Sequence, residues 1–130
     1  MQQVIYIGVG GFLGANARYF MSAWVNDVIQ GQFVWAGLPL GTMTVNVLGS
    51  ILLAMFGVWA VDFVDLPQDI RLMVATGFFG AFTTFSTYAN ESIALIRAGE
   101  WSLGLTTIIG TNVLCLLGVI LGLWIMERIA

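Results

Sequence analysis

Gly77-Phe78-Phe79-Gly80-Ala81-Phe82-Thr83-Thr84-Phe85-Ser86-Thr87-Tyr88-Ala89-Asn90-Glu91-Ser92 lies inside an apolar stretch that runs from Ile70 to Ile96. Eight of the last ten of these residues can form polar bonds. At membrane depth, a hydroxyl-rich run flanked by glycines interrupts a helix only where protein or a water-filled path satisfies the freed backbone groups. The stretch therefore predicts a helix broken near Gly80 to Thr84. Working outward, Leu38 to Val61 carries no charge over 24 residues, and Asp62, Asp65, Pro67 and Asp69 mark a water-exposed turn before the broken helix. Val4 to Val25 is apolar apart from small residues, Asn16, Arg18 and Ser22. With no basic region before that run, a cleaved signal peptide is disfavoured. Asn26 to Gly37 reads as a polar and aromatic connection, Arg97-Ala98-Gly99-Glu100 as a short turn, and Leu103 to Met126 as a last apolar run ended by Glu127 and Arg128. Each run is long enough to cross a hydrocarbon layer about 30 Å thick. The expected fold is an all-α membrane protein, one domain over residues 1–130, with four transmembrane helices at about 4–25, 38–61, 70–96 and 103–126.

Composition agrees. The 130 residues are 59% apolar and 8% charged, against roughly 25% charged in an ordinary soluble domain. The mean hydropathy is +0.96. The cations are Arg18, Arg71, Arg97 and Arg128, and a net charge of −3 describes no surface for nucleic acid. With no His and one Cys, a His-ligated zinc site, a Ser-His-Asp triad and an internal disulfide are excluded. If the helices alternate in direction, one side holds Arg71 and Arg128 and the other Arg97 and Arg18. Two against two gives the positive-inside rule nothing to act on, so a chain that inserts both ways, with two opposed copies pairing, stands beside a single orientation set by a partner.

Thr42, Asn46 and Ser50 recur at intervals of four and share one helical face. An unpaired Asn amide is costly in lipid, so this stripe faces protein or water, as interhelical glue or as a pathway. Thr107, Thr111 and Cys115 repeat the interval, followed by the Gly118 and Gly122 pair. Gly10 and Gly14 form another such pair, with Arg18 one step further along their face. Arg18 either lines a pathway or snorkels to the interface. Glu91 is the one carboxylate well inside an expected span, and is open to a role in proton coupling, in cation binding or as an acceptor for neighbouring hydroxyls. Hydroxyl and amide donors interleaved with the positive ring edges of Phe78, Phe79, Phe82 and Phe85 suit a small anion if they face inward, and composition alone favours the other reading, in which these rings are ordinary packing or lipid-facing groups. Carbonyls freed at the helix break suit a small cation instead.

Three segments resemble the small fluoride channels called Fluc or CrcB. Gly10-Gly11-Phe12-Leu13-Gly14-Ala15-Asn16-Ala17-Arg18-Tyr19 is similar to the family's first-helix signature, and Gly41-Thr42-Met43-Thr44-Val45-Asn46-Val47-Leu48-Gly49 to its second. Thr76 to Tyr88 is similar to the third and is the most specific. The resemblance implies a passive, fluoride-selective channel in the cell inner membrane that works as an antiparallel, dual-topology homodimer with two pathways. It implies no enzyme activity. It also implies a structural sodium ion at the dimer centre, held by backbone carbonyls that correspond to Gly80 and Thr83. Asn46 matches the pore-lining amide, Phe85 and Tyr88 the two aromatic positions, Arg18 the first-helix arginine, and Glu91 the acid after the third signature. Ser86 and Thr87 fall within the hydroxyl run beside the aromatics. Aligned without a gap, the fourth-helix hydroxyl track falls on Thr107, Thr111 and Cys115; matching the family's fourth-helix Asn to Asn112 instead puts Cys115-Leu116 at its Gly-Ser pair. Tyr88 stands where Phe is usual, and Gly80-Ala81 where Gly-Gly is frequent. Two other readings share the outline: a proton-coupled exporter of the small multidrug-resistance type, whose essential carboxylate belongs in a first helix that here has none, and a structural subunit of a larger membrane complex.

Overall fold

The computed structural model describes residues 1–29 and 37–129. Most of the expected connection from Asn26 to Gly37 lies outside them; its first four residues continue the opening helix. The protein is all-helical among the described residues: α1 (Gln2–Ile29), α2 (Leu40–Val58) with a wider π-type turn over Trp59–Phe63, α3 (Gln68–Arg71), a π-helical segment over Leu72–Phe79, α4 (Gly80–Phe82), α5 (Phe85–Arg97) and α6 (Trp101–Ile129).

Local chemistry sets the boundaries. Leu66 N–H closes on the Ala60 carbonyl after α2, and Asp65 takes a left-handed backbone, φ 45°, in the turn. At the end of α5, Gly99 N–H bonds the Ile96 carbonyl and Glu100 N–H the Leu95 carbonyl. These paired bonds define a Schellman stop, and Gly99 supplies the required positive φ of 86°. The first turn of α2 is capped from another helix, with Gly41 N–H donating to Asn26 Oδ1 of α1 at 3.1 Å.

Glycines let the helices approach closely. A Cβ at Gly10 or Gly14 would strike the backbone of the Leu72–Phe79 segment at Met73 and Phe78, and one at Gly122 would lie 2.6 Å from the Ile51 carbonyl. Both glycine pairs therefore serve packing. Val45, Phe79 and Phe82 form the interior, with Met21, Leu48, Phe56 and Phe78 around them. Outside this thin core the apolar residues face outward: Phe12, Phe20, Trp24, Ile109, Leu116 and Ile120 are all exposed. Such a surface belongs in lipid or against another apolar surface.

Among the described residues, two unbroken helices, Leu40–Phe63 and Trp101–Ile129, are by themselves long and apolar enough to cross a bilayer. The other two expected spans do not meet that measure. Asn16, Arg18 and several glycines dilute α1, and the stretch from Gln68 to Arg97 is divided at Thr83 and Thr84, whose backbones are extended.

Candidate functional site

The interruption at Thr83 and Thr84 is built by side chains. The Thr83 hydroxyl donates back to the Phe79 carbonyl at 2.9 Å, a local bond that competes with helix continuation. Thr84 is the N-cap of α5: its Oγ1 accepts from Thr87 N–H at 3.2 Å, and its hydroxyl donates to Thr87 Oγ1 at 3.0 Å. Asn46 reaches across from α2 and brackets the Thr84 backbone. Its Oδ1 accepts from Thr84 N–H at 2.7 Å and its Nδ2 donates to the Thr84 carbonyl at 3.1 Å. In an unbroken helix, Thr84 N–H would go to the Gly80 carbonyl four residues back. Its diversion to Asn46 leaves that carbonyl without its helical donor, at an exposed position.

Two open grooves meet at Thr84. The first, about 260 Å³, is lined by Asn46 and Ser50 of α2, by Thr83, Thr84, Phe85 and Tyr88 around the break, and by Thr111, Asn112 and Cys115 of α6. Among the described residues, no charged side chain lines it. The Phe85 and Tyr88 rings are tilted at 57°, with centroids 5.4 Å apart. Phe85 is 75% exposed in the single chain, whereas Tyr88 is buried. The Thr111 side chain is buried, and its hydroxyl has no hydrogen-bond partner among the described residues. Its donor is left unused among the described residues, in a side chain that lines the groove.

The second groove, about 400 Å³, holds Arg18, Ser22 and Asn26 of α1 with Thr42, Thr84, Thr87 and Glu91. The Thr42 hydroxyl donates to Glu91 Oε1 at 3.0 Å; Oε2 is buried without a partner among the described residues. Arg18 is half-buried, and no ion pair ties it to Glu91. Both side chains thus line one groove without pairing with each other.

The expected residues divide accordingly. Asn46, Phe85, Tyr88, Thr111 and Cys115 line the first groove, and Arg18, Thr87 and Glu91 the second. Thr107 is fully buried, lines neither, and donates its hydroxyl to its own helix at the Leu103 carbonyl, 2.8 Å away. Ser86 is exposed and lines neither groove, its hydroxyl 3.4 Å from Thr84 Oγ1. Asn112, which enters the sequence reading only through the alternative register, lines the first groove, and its Nδ2 donates to the Tyr88 hydroxyl at 2.6 Å and to the Ile108 carbonyl at 2.7 Å. The pair of hydrogen bonds between Asn46 and Thr84 has no signal in spacing, because it joins residues 38 apart in sequence.

The sequence pattern of a family described as CrcB-like protein, Camphor Resistance (CrcB), matches residues 5–123. The chain belongs to the CrcB family. A relative from Sorangium cellulosum (strain So ce56) is 40% identical over 129 residues, covering 99% of this chain and 98% of its own length. One from Hydrogenobaculum sp. (strain Y04AAS1) is 39% identical over 114 residues, 88% of each chain. A third, from Nitratidesulfovibrio vulgaris (strain DSM 19637 / Miyazaki F), is 44% identical over 103 residues, 78% of this chain and 77% of its own. Each of the three is called fluoride-specific ion channel FluC. The matched span of this CrcB chain contains both grooves and the break between them.

Proposed function

We propose that this chain is a fluoride-specific ion channel of the membrane and carries no enzyme activity. One observation carries the reading beyond family membership: among the described residues no charged side chain lines the first groove, yet the buried Thr111, whose hydroxyl has no partner among them, lines it together with Phe85 and Tyr88. Fluoride is small and strongly hydrated, so a path for it must replace water with donors in stages. A hydroxyl supplies a hydrogen bond, and ring edges supply positive quadrupole charge without binding the ion too tightly to release it. Flow is then passive, and runs out of the cytoplasm when fluoride accumulates there.

The balanced arginines support dual insertion, and the exposed apolar faces of α1 and α6 support an antiparallel homodimer with two pathways in a multi-pass, four-span arrangement in the cell inner membrane. Carbonyl oxygens are the donors a hard cation takes, and Gly80 has a carbonyl released from the helix. Gly80 and Thr83 of one chain offer two such oxygens, fewer than a hard cation needs, so a structural sodium ion there draws on both copies and fastens them together.

The test is fluoride efflux from liposomes holding the purified protein, beside chloride-loaded liposomes, both under a potassium-valinomycin shunt. Protein-dependent fluoride release without chloride release is expected. A folded protein that releases neither ion overturns the channel reading, and proton-coupled transport lost in Glu91→Gln replaces it with the exporter.

A further inference from the structure

Tyr88 brings a hydroxyl into a groove whose other aromatic, Phe85, has none. A phenol O–H in a confined, low-dielectric space must find a partner. Here it finds two on α6: it accepts from Asn112 Nδ2 at 2.6 Å and donates toward the Ile108 carbonyl at 3.4 Å. Asn112 Nδ2 also donates to that carbonyl at 2.7 Å, which closes a triangle of three polar groups on the α6 backbone. The triangle engages the hydroxyl both as donor and as acceptor. Its weak side is the 3.4 Å contact, so the short bond from Asn112 is the one that fixes where the oxygen points.

We propose that Asn112 is a positioning residue for conduction: it holds the Tyr88 hydroxyl against the α6 backbone and leaves only the ring of Tyr88 to the passing anion. This inference rests on the channel reading. Without Asn112, the hydroxyl turns to the strongest acceptor in reach, and in a conducting groove that is the anion. An O–H bonded to fluoride holds it more tightly than a ring edge does. Conduction needs sites weak enough to leave, so the released hydroxyl slows the flow.

The experiment is a double-mutant cycle on fluoride efflux per folded channel, with Asn112→Leu and Tyr88→Phe alone and combined. Asn112→Leu keeps the side-chain volume and removes the amide; if it does not fold, Asn112→Ser, too short to reach the hydroxyl, takes its place. With Tyr88 present, the Asn112 substitution is expected to slow efflux about fivefold, the scale of one net hydrogen bond acting on a barrier. In the Tyr88→Phe background the same substitution is expected to change the rate less than about twofold, whatever Tyr88→Phe does by itself. Equal slowing in both backgrounds overturns the inference, because Asn112 then acts on the ion or on the helix directly. No slowing with Tyr88 present overturns it as well, and so does loss of thermal stability with the rate per folded channel unchanged. If the unsubstituted protein releases no fluoride, the channel reading fails and this inference falls with it.

Discussion

Asn46 is where stability and conduction can be separated by one substitution. Replacing it with Leu keeps the volume and deletes both bonds to the Thr84 backbone, 2.7 and 3.1 Å long. The loss of Oδ1 leaves the Thr84 N–H unsatisfied in a buried position, which costs about 1–3 kcal/mol. The second bond, to a carbonyl, adds about 0.6 kcal/mol in a membrane, where the unfolded chain also finds partners. Asn46→Leu should therefore destabilise the protein by about 1.6–3.6 kcal/mol in all. Asn46→Asp behaves differently. Its carboxylate still accepts from Thr84 N–H, but it faces the Thr84 carbonyl without a donor and puts a desolvated negative charge in the groove. Thermal unfolding in detergent should place both variants below the unsubstituted protein. Fluoride efflux per folded channel should be lowest for Asp, through repulsion of the anion. An Asn46→Leu protein as stable as the unsubstituted one would show that the break holds without this bracket, and persistent efflux in Asn46→Asp would remove Asn46 from the pathway.

Thr111→Val removes a buried hydroxyl that has no partner among the described residues, so melting temperature should stay level or rise while fluoride efflux falls at least about tenfold, the weight of a lost charge-assisted hydrogen bond; unchanged efflux would mean that the hydroxyl never meets the ion. Gly14→Ala drives a methyl into the Phe78 backbone and should lower stability by about 1–3 kcal/mol, read by thermal unfolding; tolerance would show that the α1 contact has slack. Thr42→Val takes the hydrogen-bond donor from Glu91 Oε1, and if Glu91 serves the pathway, efflux should change in the same direction as in Glu91→Gln; opposite changes would break the link between the two residues.

The break was legible because its causes are local. Thr83 back-bonds to Phe79 and Thr84 caps its own following turn, and both habits belong to hydroxyl residues wherever they occur. The stripes on α2 and α6 were legible as faces but not as roles. Thr107 and Thr111 share a face four residues apart, yet the hydroxyl of Thr107 is spent on Leu103 and that of Thr111 is not; a register cannot reveal which side chain finds a backbone acceptor first. Asn46 showed as a polar group needing a partner, but Thr84 as that partner depends on how two distant segments lie. Asn112 was masked because four-residue spacing from Thr107 favours Thr111, whereas the Tyr88 hydroxyl selects its neighbour by reach.

Thr84 has one further consequence. Its backbone is clasped from α2, its side chain from the next turn of α5, and its surface belongs to both grooves. A substitution there cannot adjust one chamber alone, since any shift that widens the first redraws the wall of the second. Residues that line only one groove, such as Thr111 and Cys115 in the first or Ser22 in the second, can change the shape of that groove alone, whereas a change at Thr84 is felt in both.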